Sequence, residues 1–264
     1  MSRSVWIVSA EALARWRKPG QDLVPPGMFL PLMAEVGLTT ELDEEIARQA
    51  RVFRRLVGRY VGDHFRIFTN VSAGQQPLEA IIELHLAAAQ SDHTPLSWLG
   101  LEITEQAVVQ DPRAAAAALR EARDQGLAVV LDDVGTGYSS LSLIRALPLD
   151  GLKIDGSFVR GMSNDHTDAA VVASVAALGR RLGLHVTAEG VETQAELDAV
   201  VAEGVSTIQG YLFSPPVSGE VLLEGPSGLQ SAAYRLLAMR IGDRNASFDR
   251  WTDRLLRHQL PSAR

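Results

Sequence analysis

Leu131-Asp132-Asp133-Val134-Gly135-Thr136-Gly137-Tyr138-Ser139-Ser140-Leu141 joins an apolar run to a glycine loop and the start of a helix. The residues leading into it, Leu127 to Leu131, read as a buried β-strand. Two adjacent carboxylates end that strand, and a helix opens at Tyr138-Ser139-Ser140. Successive side chains on a regular strand point to opposite faces. Asp132 and Asp133 therefore reach one site only where strand gives way to loop. Paired acids ahead of a glycine hinge are suited to holding divalent cations. A solvated turn is the competing reading, because Asp and Gly are common turn residues.

The same strand-then-helix unit recurs on both sides. Strands are expected over Val5 to Ala10, Phe65 to Val71, Leu99 to Thr104, Gly151 to Asp155, His185 to Glu189 and Ser206 to Gly210. Helices are expected over Met28 to Val36, Thr40 to Val61, Leu78 to Ala89, Ala169 to Leu182 and Thr193 to Glu203, with one opened by Asp111-Pro112 and one running through Ala146. Thr40 to Val61 carries Leu42, Ile46, Ala50, Phe53 and Val57 at helical spacing. Ala12 to Arg17 are read as loop or helix. This alternation implies a parallel sheet covered by helices, and a TIM-type (β/α)8-like barrel is favoured. A doubly wound open sheet is the structural alternative. Glu11, Asn70, Glu102, Asp132, Asp133, Lys153, Glu189 and Gln209 fall at or near successive strand ends. In a barrel those ends converge on one mouth, where active sites of this fold lie. So many acids would repel one another in an empty site, and bound cations resolve that repulsion.

Composition narrows the class. The 264 residues are 46% hydrophobic and 22% charged, which fits a globular chain with a substantial core. No run is long and apolar enough for a transmembrane segment, and the start lacks the apolar stretch of a signal peptide. Cysteine is absent, in keeping with a reducing, cytoplasmic setting. A net charge of -7 argues against binding a DNA or RNA polymer, but leaves room for a small phosphorylated ligand.

Glu11-Ala12-Leu13 followed by Ala14-Arg15-Trp16 resembles the signature of EAL domains, phosphodiesterases that hydrolyse cyclic di-GMP. The resemblance runs from about Trp6 to Pro216. It is carried further by Phe68-Thr69-Asn70-Val71-Ser72, Leu101-Glu102-Ile103-Thr104-Glu105 and the Asp132-Asp133 stretch. Leu152-Lys153-Ile154-Asp155, Ala188-Glu189-Gly190-Val191-Glu192 and Gln209-Gly210-Tyr211 complete the set. The resemblance implies a two-metal hydrolysis of cyclic di-GMP to linear pGpG in bacterial second-messenger signalling. It assigns Glu11, Asn70, Glu102, Asp132 and Glu189 to one Mg2+ or Mn2+, with Asp132 and Asp133 on the second ion. Lys153, Glu189 and Asp133 are then catalytic, and Arg15 and Gln209 bind substrate or order water. Glu105 supports the Gly135 to Leu141 loop, which the family places near a homodimer interface.

Two features depart from the family pattern. Only ten residues precede Glu11, without the strand bearing a Gln-Pro pair that normally comes first. Seven strands are expected where a closed barrel of this type has eight, so the first strand is read as missing. Val134 also stands where the family usually has Phe. An upstream sensory domain in a longer parent is expected from the family habit. The alternative to an enzyme is a non-catalytic cyclic di-GMP sensor or protein-interaction module. Residues 1–219 are assigned to the barrel. Residues 220–264 are assigned to a C-terminal helical extension packed on it, in which Phe248, Trp251, Leu255 and Leu256 share a helical face.

Overall fold

The computed structural model describes residues 7–17, 23–58, 61–72, 76–108, 111–136 and 141–219. The expected C-terminal extension and the loop residues 137–140 lie outside the described residues. The strands are β1 (Ser9–Ala12), β2 (Trp16–Arg17), β3 (Leu23–Val24), β4 (Arg66–Val71), β5 (Leu99–Ile103), β6 (Ala128–Val134), β7 (Gly151–Ile154), β8 (His185–Ala188) and β9 (Thr207–Ile208). The helices are α1 (Pro26–Glu35), α2 (Thr39–Val57), α3 (Leu78–Ser91), α4 (Glu105–Val108), α5 (Pro112–Asp124), α6 (Leu141–Ala146), α7 (Gly156–Gly161), α8 (His166–Leu182) and α9 (Gln194–Ala202).

Seven strands form one sheet in the order β1-β4-β5-β6-β7-β8-β9, and every neighbouring pair is parallel. Each strand thus sits beside the one that precedes it in the sheet, as short right-handed βα units require. β1 and β9 are the two ends of the order. The sheet curls into a barrel-like shape with helices outside, and seven strands agree with the sequence count.

Local chemistry sets the elements. Asp111 caps α5, its carboxylate accepting from the amides of Arg113 and Ala114 at 3.0 Å, with Pro112 in the first turn. Thr193 and Glu196 form a capping box at the start of α9. The left-handed Gly183 (φ 72°) ends α8.

Register sorts the side chains onto two faces. Leu101, Ile103, Val129, Leu131, Leu152, Ile154, Val186 and Ala188 are buried against Ile81, Ile82, Leu119, Val172 and Val200 from the helices. Each fully buried aliphatic side chain of this kind contributes about 1.5–3 kcal/mol. On the opposite face, Asn70 pairs with Glu102, Glu102 with Val130, and Lys153 with Thr187. The period of two puts the charged strand-end residues together inside the curl. Lower down, Phe68 lies across Gly100, where a Cβ would come within 2.2 Å of the ring. That contact gives the interior an apolar floor.

Several expectations need correction. The first strand starts at Ser9, because its pairing begins at Ser9 with Arg66, and Glu11 lies inside it. Trp16–Arg17 and Leu23–Val24 pair as a short antiparallel hairpin where loop or helix is expected. The second long helix stops at Val57, before Gly58, and not at Val61. The short helices α4 and α7 carry too few residues for a periodic pattern.

Candidate functional site

The site is built around the decisive stretch. β6 does not end at Leu131: it continues to Val134, and its register against β7 shifts between those residues. Leu131 pairs with Leu152 and Val134 with Ile154, so β6 holds one residue more than its partner. This is a β-bulge. Asp133 takes φ 55°, a left-handed conformation that Asp tolerates better than most residues. Its amide donates to Asp132 Oδ1 at 2.9 Å. The bulge keeps Asp132 turned inward and leaves Asp133 exposed at the rim.

Lys153 occupies the centre of the mouth and is 3% exposed. Its Nζ lies 2.5 Å from Glu189 Oε1, 2.7 Å from Glu102 Oε2, 3.3 Å from Glu11 Oε2 and 3.8 Å from Asp132 Oδ2. Glu11 also accepts from Asn70 Nδ2 at 2.7 Å and from Gln209 Nε2 at 2.6 Å. Residues from β1, β4, β5, β6 and β7, together with the chain just past β8 and β9, thus form one connected polar cluster.

Charge within it is unbalanced. Burial pushes Glu102 up to about 9, against the pull of Lys153 and with added repulsion from Glu11. Burial likewise raises Glu189 to about 7 and lifts Asp132 and Asp133 above the usual carboxylate range. For Glu11, burial is outweighed by the Lys153 charge and by hydrogen bonds from Gln209 and Asn70, which hold it below that range. Burial disfavours the Lys153 ammonium, yet Glu102, Glu11, Glu189 and Asp132 together hold it charged well above its ordinary range.

The expected site residues separate into two groups. Glu11, Asn70, Glu102, Asp132, Lys153, Glu189 and Gln209 are brought together, and Asp133 stands beside them on the bulge. Arg15 is apart: it is exposed beyond β1, and its guanidinium donates to the Ala14 carbonyl at 2.7 Å. Glu105 opens α4 with its Oε1 buried and without a hydrogen-bond partner among the described residues. The loop segment it is expected to brace, residues 137–140, lies outside the described residues.

Asp43 is missing from the expected set. It is buried on α2 and accepts from the Ser72 amide at 2.8 Å and the Ser72 hydroxyl at 3.1 Å. That contact fastens the chain just beyond Asn70. The available signal is helical spacing: Asp43 shares its face with Ala47, Ala50 and Arg54, which are also buried.

The donor set suits a hard divalent cation, for it consists of carboxylate and amide oxygens in one mouth. Among the described residues no three such side chains are already drawn into a cation cage. The Lys153 ammonium holds the position on which they converge. Burial is the largest cause that raises Glu102, Glu189, Asp132 and Asp133, and a bound cation would favour their ionised forms.

The EAL domain family profile matches residues 2–216. The chain belongs to the EAL domain family. This EAL domain is 37% identical over 217 residues to the uncharacterized protein Rv1354c of Mycobacterium tuberculosis, covering 82% of this chain and 35% of that one. It is 34% identical over 213 residues to the cyclic di-GMP phosphodiesterase PdeL of Escherichia coli, covering 81% of this chain and 59% of PdeL. This EAL domain therefore spans about a third of the first relative's length. Its fold is similar to the Pseudomonas aeruginosa MucR phosphodiesterase in complex with cyclic di-GMP. The TM-score is 0.74 at 35% identity, over 80% of this chain and 86% of that one. Among the described residues no helix is long and apolar enough to cross a membrane.

Proposed function

We propose that this EAL domain is a metal-dependent phosphodiesterase that opens cyclic di-GMP to linear pGpG in bacterial second-messenger signalling. The observation that carries the reading is the cluster around Lys153, in which seven expected site residues from seven strands or strand ends meet. Glu11, Asn70, Glu102, Asp132 and Glu189 would hold one Mg2+ or Mn2+, and Asp132 and Asp133 a second. When bound, such ions supply Lewis-acid activation of water and neutralise phosphodiester charge.

The protein's own groups do the rest. Glu189 is 20% exposed, the most open of the four carboxylates around Lys153, and Asp133 is exposed at the rim next to Asp132. Substrate and water therefore meet the cluster on that side. Water attacks phosphorus in line with the 3′ oxygen, the bond to that oxygen breaks, and the leaving oxygen takes a proton. Lys153 is a fixed positive charge held by its neighbours before substrate arrives, so it offsets charge on the transition state without reorganising. Gln209 and Asn70 fix the Glu11 carboxylate. Arg15, exposed past β1, is free to swing its planar guanidinium onto a phosphate oxygen. A homodimer, a cytoplasmic setting and fusion to a sensory domain belong to the same proposal.

The test is direct: purified chain, cyclic di-GMP and Mg2+ or Mn2+, with products resolved by chromatography. Accumulation of pGpG supports hydrolysis. Binding without product favours the second reading, a cyclic di-GMP sensor. One observation favours that reading: no backbone pairing joins β9 to β1 among the described residues. Glu11 is therefore held across that seam by side-chain contacts alone.

A further inference from the structure

Arg160 lies on α7 and is exposed. Its place in the last turn would ordinarily aim a cation at the carbonyl end of its own helix. The side chain runs the other way. A Cβ on Gly156, the first residue of α7, would stand 2.9 Å from Arg160 Nη1, and one on Gly190 would stand 3.0 Å from the same atom. Helical side chains lean back over the preceding turn, so positions 156 and 160 share one face. The two glycines leave the hollow in which the guanidinium lies. Gly190 takes φ 62°, where a side chain would also be strained.

That hollow belongs to the rim of the mouth. Gly156 follows Asp155 just past β7, and Gly190 follows Glu189 just past β8. The Glu189 carbonyl would be 3.3 Å from a Cβ on Gly156, and the Glu189 side chain is bound to Lys153. Among the described residues no carboxylate pairs with Arg160 and no acceptor binds it. Asp155 is turned to the Ser157 amide at 2.9 Å and to the Ser157 hydroxyl. Against burial, those bonds hold the Asp155 carboxyl below the usual range, with the Arg160 charge adding to them at longer range. Burial raises Asp132 and Asp133, and the Asp155 charge adds to the rise in both. Asp155 is thus within electrostatic reach of Arg160 and of the acid pair alike.

We propose that Arg160 holds the second phosphodiester of cyclic di-GMP while the first lies over the carboxylate cluster. This rests on the proposed reading of the mouth as a cyclic di-GMP site. The ligand carries two phosphodiesters in one ring, and only one occupies the reacting position at a time. The other needs a counter-charge at the rim, where Asp133 and Asp155 repel it. A guanidinium fork suits phosphate oxygens, and Arg160 offers one that no carboxylate has taken up. Arg15, past β1, is left to the first phosphate. Arg160 touches no reacting atom, so it contributes to substrate binding and not to the chemical step.

The test compares the full-length chain with Arg160→Met and Arg160→Lys, using cyclic di-GMP and Mn2+ to obtain kcat and KM. If the chain binds without turnover, Kd from titration calorimetry takes the place of KM. Arg160→Met is expected to raise KM about ten- to a hundredfold, with kcat within about twofold of the wild type. Arg160→Lys keeps the charge without the fork and should recover part of the loss. An unchanged KM in Arg160→Met overturns the proposal. So does a fall in kcat at constant KM, which would move Arg160 to the reacting phosphate. Equal losses in the two variants also overturn it, assigning the effect to packing over the glycines. A wild type that neither binds nor hydrolyses cyclic di-GMP overturns the reading of the whole mouth, and this proposal with it. A wild type that binds, with Arg160→Met binding equally well, overturns this proposal alone.

Discussion

Gln209 Nε2 donates a 2.6 Å hydrogen bond to Glu11 Oε2, joining the chain that leaves the last strand of the sheet to the first. β9 and β1 are the ends of the strand order, so this side-chain contact does at the mouth what backbone pairing does elsewhere. Replacing Gln209 by Met keeps the volume and removes the donor. Hydrogen bonds to charged groups are worth about 1.5–3 kcal/mol, and a loss of that size is expected in urea unfolding. A loss confined to a few tenths would show that the seam is held by something other than this bond.

Asp43 is expected to matter although it touches no reacting group. Asp43→Ala leaves the Ser72 amide and hydroxyl without their acceptor and frees the chain next to Asn70. Stability should fall by about 1–3 kcal/mol. Turnover should fall with it, while Asp43→Asn, which retains one acceptor, recovers part of both. Denaturation curves and initial rates for the two variants check this.

Lys153 supplies the positive charge among the four carboxylates around it. Lys153→Met should lower the stability of the metal-free chain by about 3–5 kcal/mol, the usual cost of stripping one partner from a buried ion pair. Mn2+ should then raise the melting temperature of this variant more than that of the wild type, because the carboxylates lack their built-in cation. EDTA should reverse the gain. Equal responses in the two proteins would contradict the assignment of those carboxylates to a cation.

His85 gives the fold a pH dependence of its own. Its Nδ1 lies 2.9 Å from the Ile81 carbonyl and therefore donates, leaving Nε2 buried and bare. Burial is the main cause that pulls its pKa below the ordinary value, with the Arg51 charge adding to it. As pH falls through about 6.5 the unfolded chain takes up a proton that the folded chain refuses. Stability must then drop, by up to about 1.4 kcal/mol per pH unit, until the folded-state pKa is reached. His85→Gln should flatten that part of the profile between pH 7 and 5. A profile unchanged by the substitution would show that His85 does not set the slope.

Much of this architecture is legible in the amino-acid order. The sheet is legible because Leu101, Val129, Leu131, Leu152 and Val186 lie in short apolar runs bounded by helices. The strand-end positions of Glu102, Lys153 and Glu189 follow from those runs. The bulge is not legible: an extra residue in β6 exists only by comparison with β7, and nothing in Leu131-Asp132-Asp133-Val134 marks it. The contacts of Lys153 depend on register across the curled sheet, a property of pairs of strands. The hairpin at Trp16–Arg17 and Leu23–Val24 is too short for any period. Asp43 is hidden inside Glu41-Leu42-Asp43-Glu44-Glu45, where an acid is the ordinary residue of a solvated helix face.

The central claim, hydrolysis at the mouth, is tested most directly by comparing wild type with Asp133→Asn. Asn tolerates the left-handed backbone at this position, so the bulge should survive the change. Both proteins are incubated with cyclic di-GMP and Mn2+, with pGpG measured over time and circular dichroism recorded for each. The account predicts pGpG from the wild type and a rate lower by roughly a hundredfold or more in the folded variant. Wild-type protein that binds cyclic di-GMP without forming pGpG, or a variant that turns over at the wild-type rate, would contradict it.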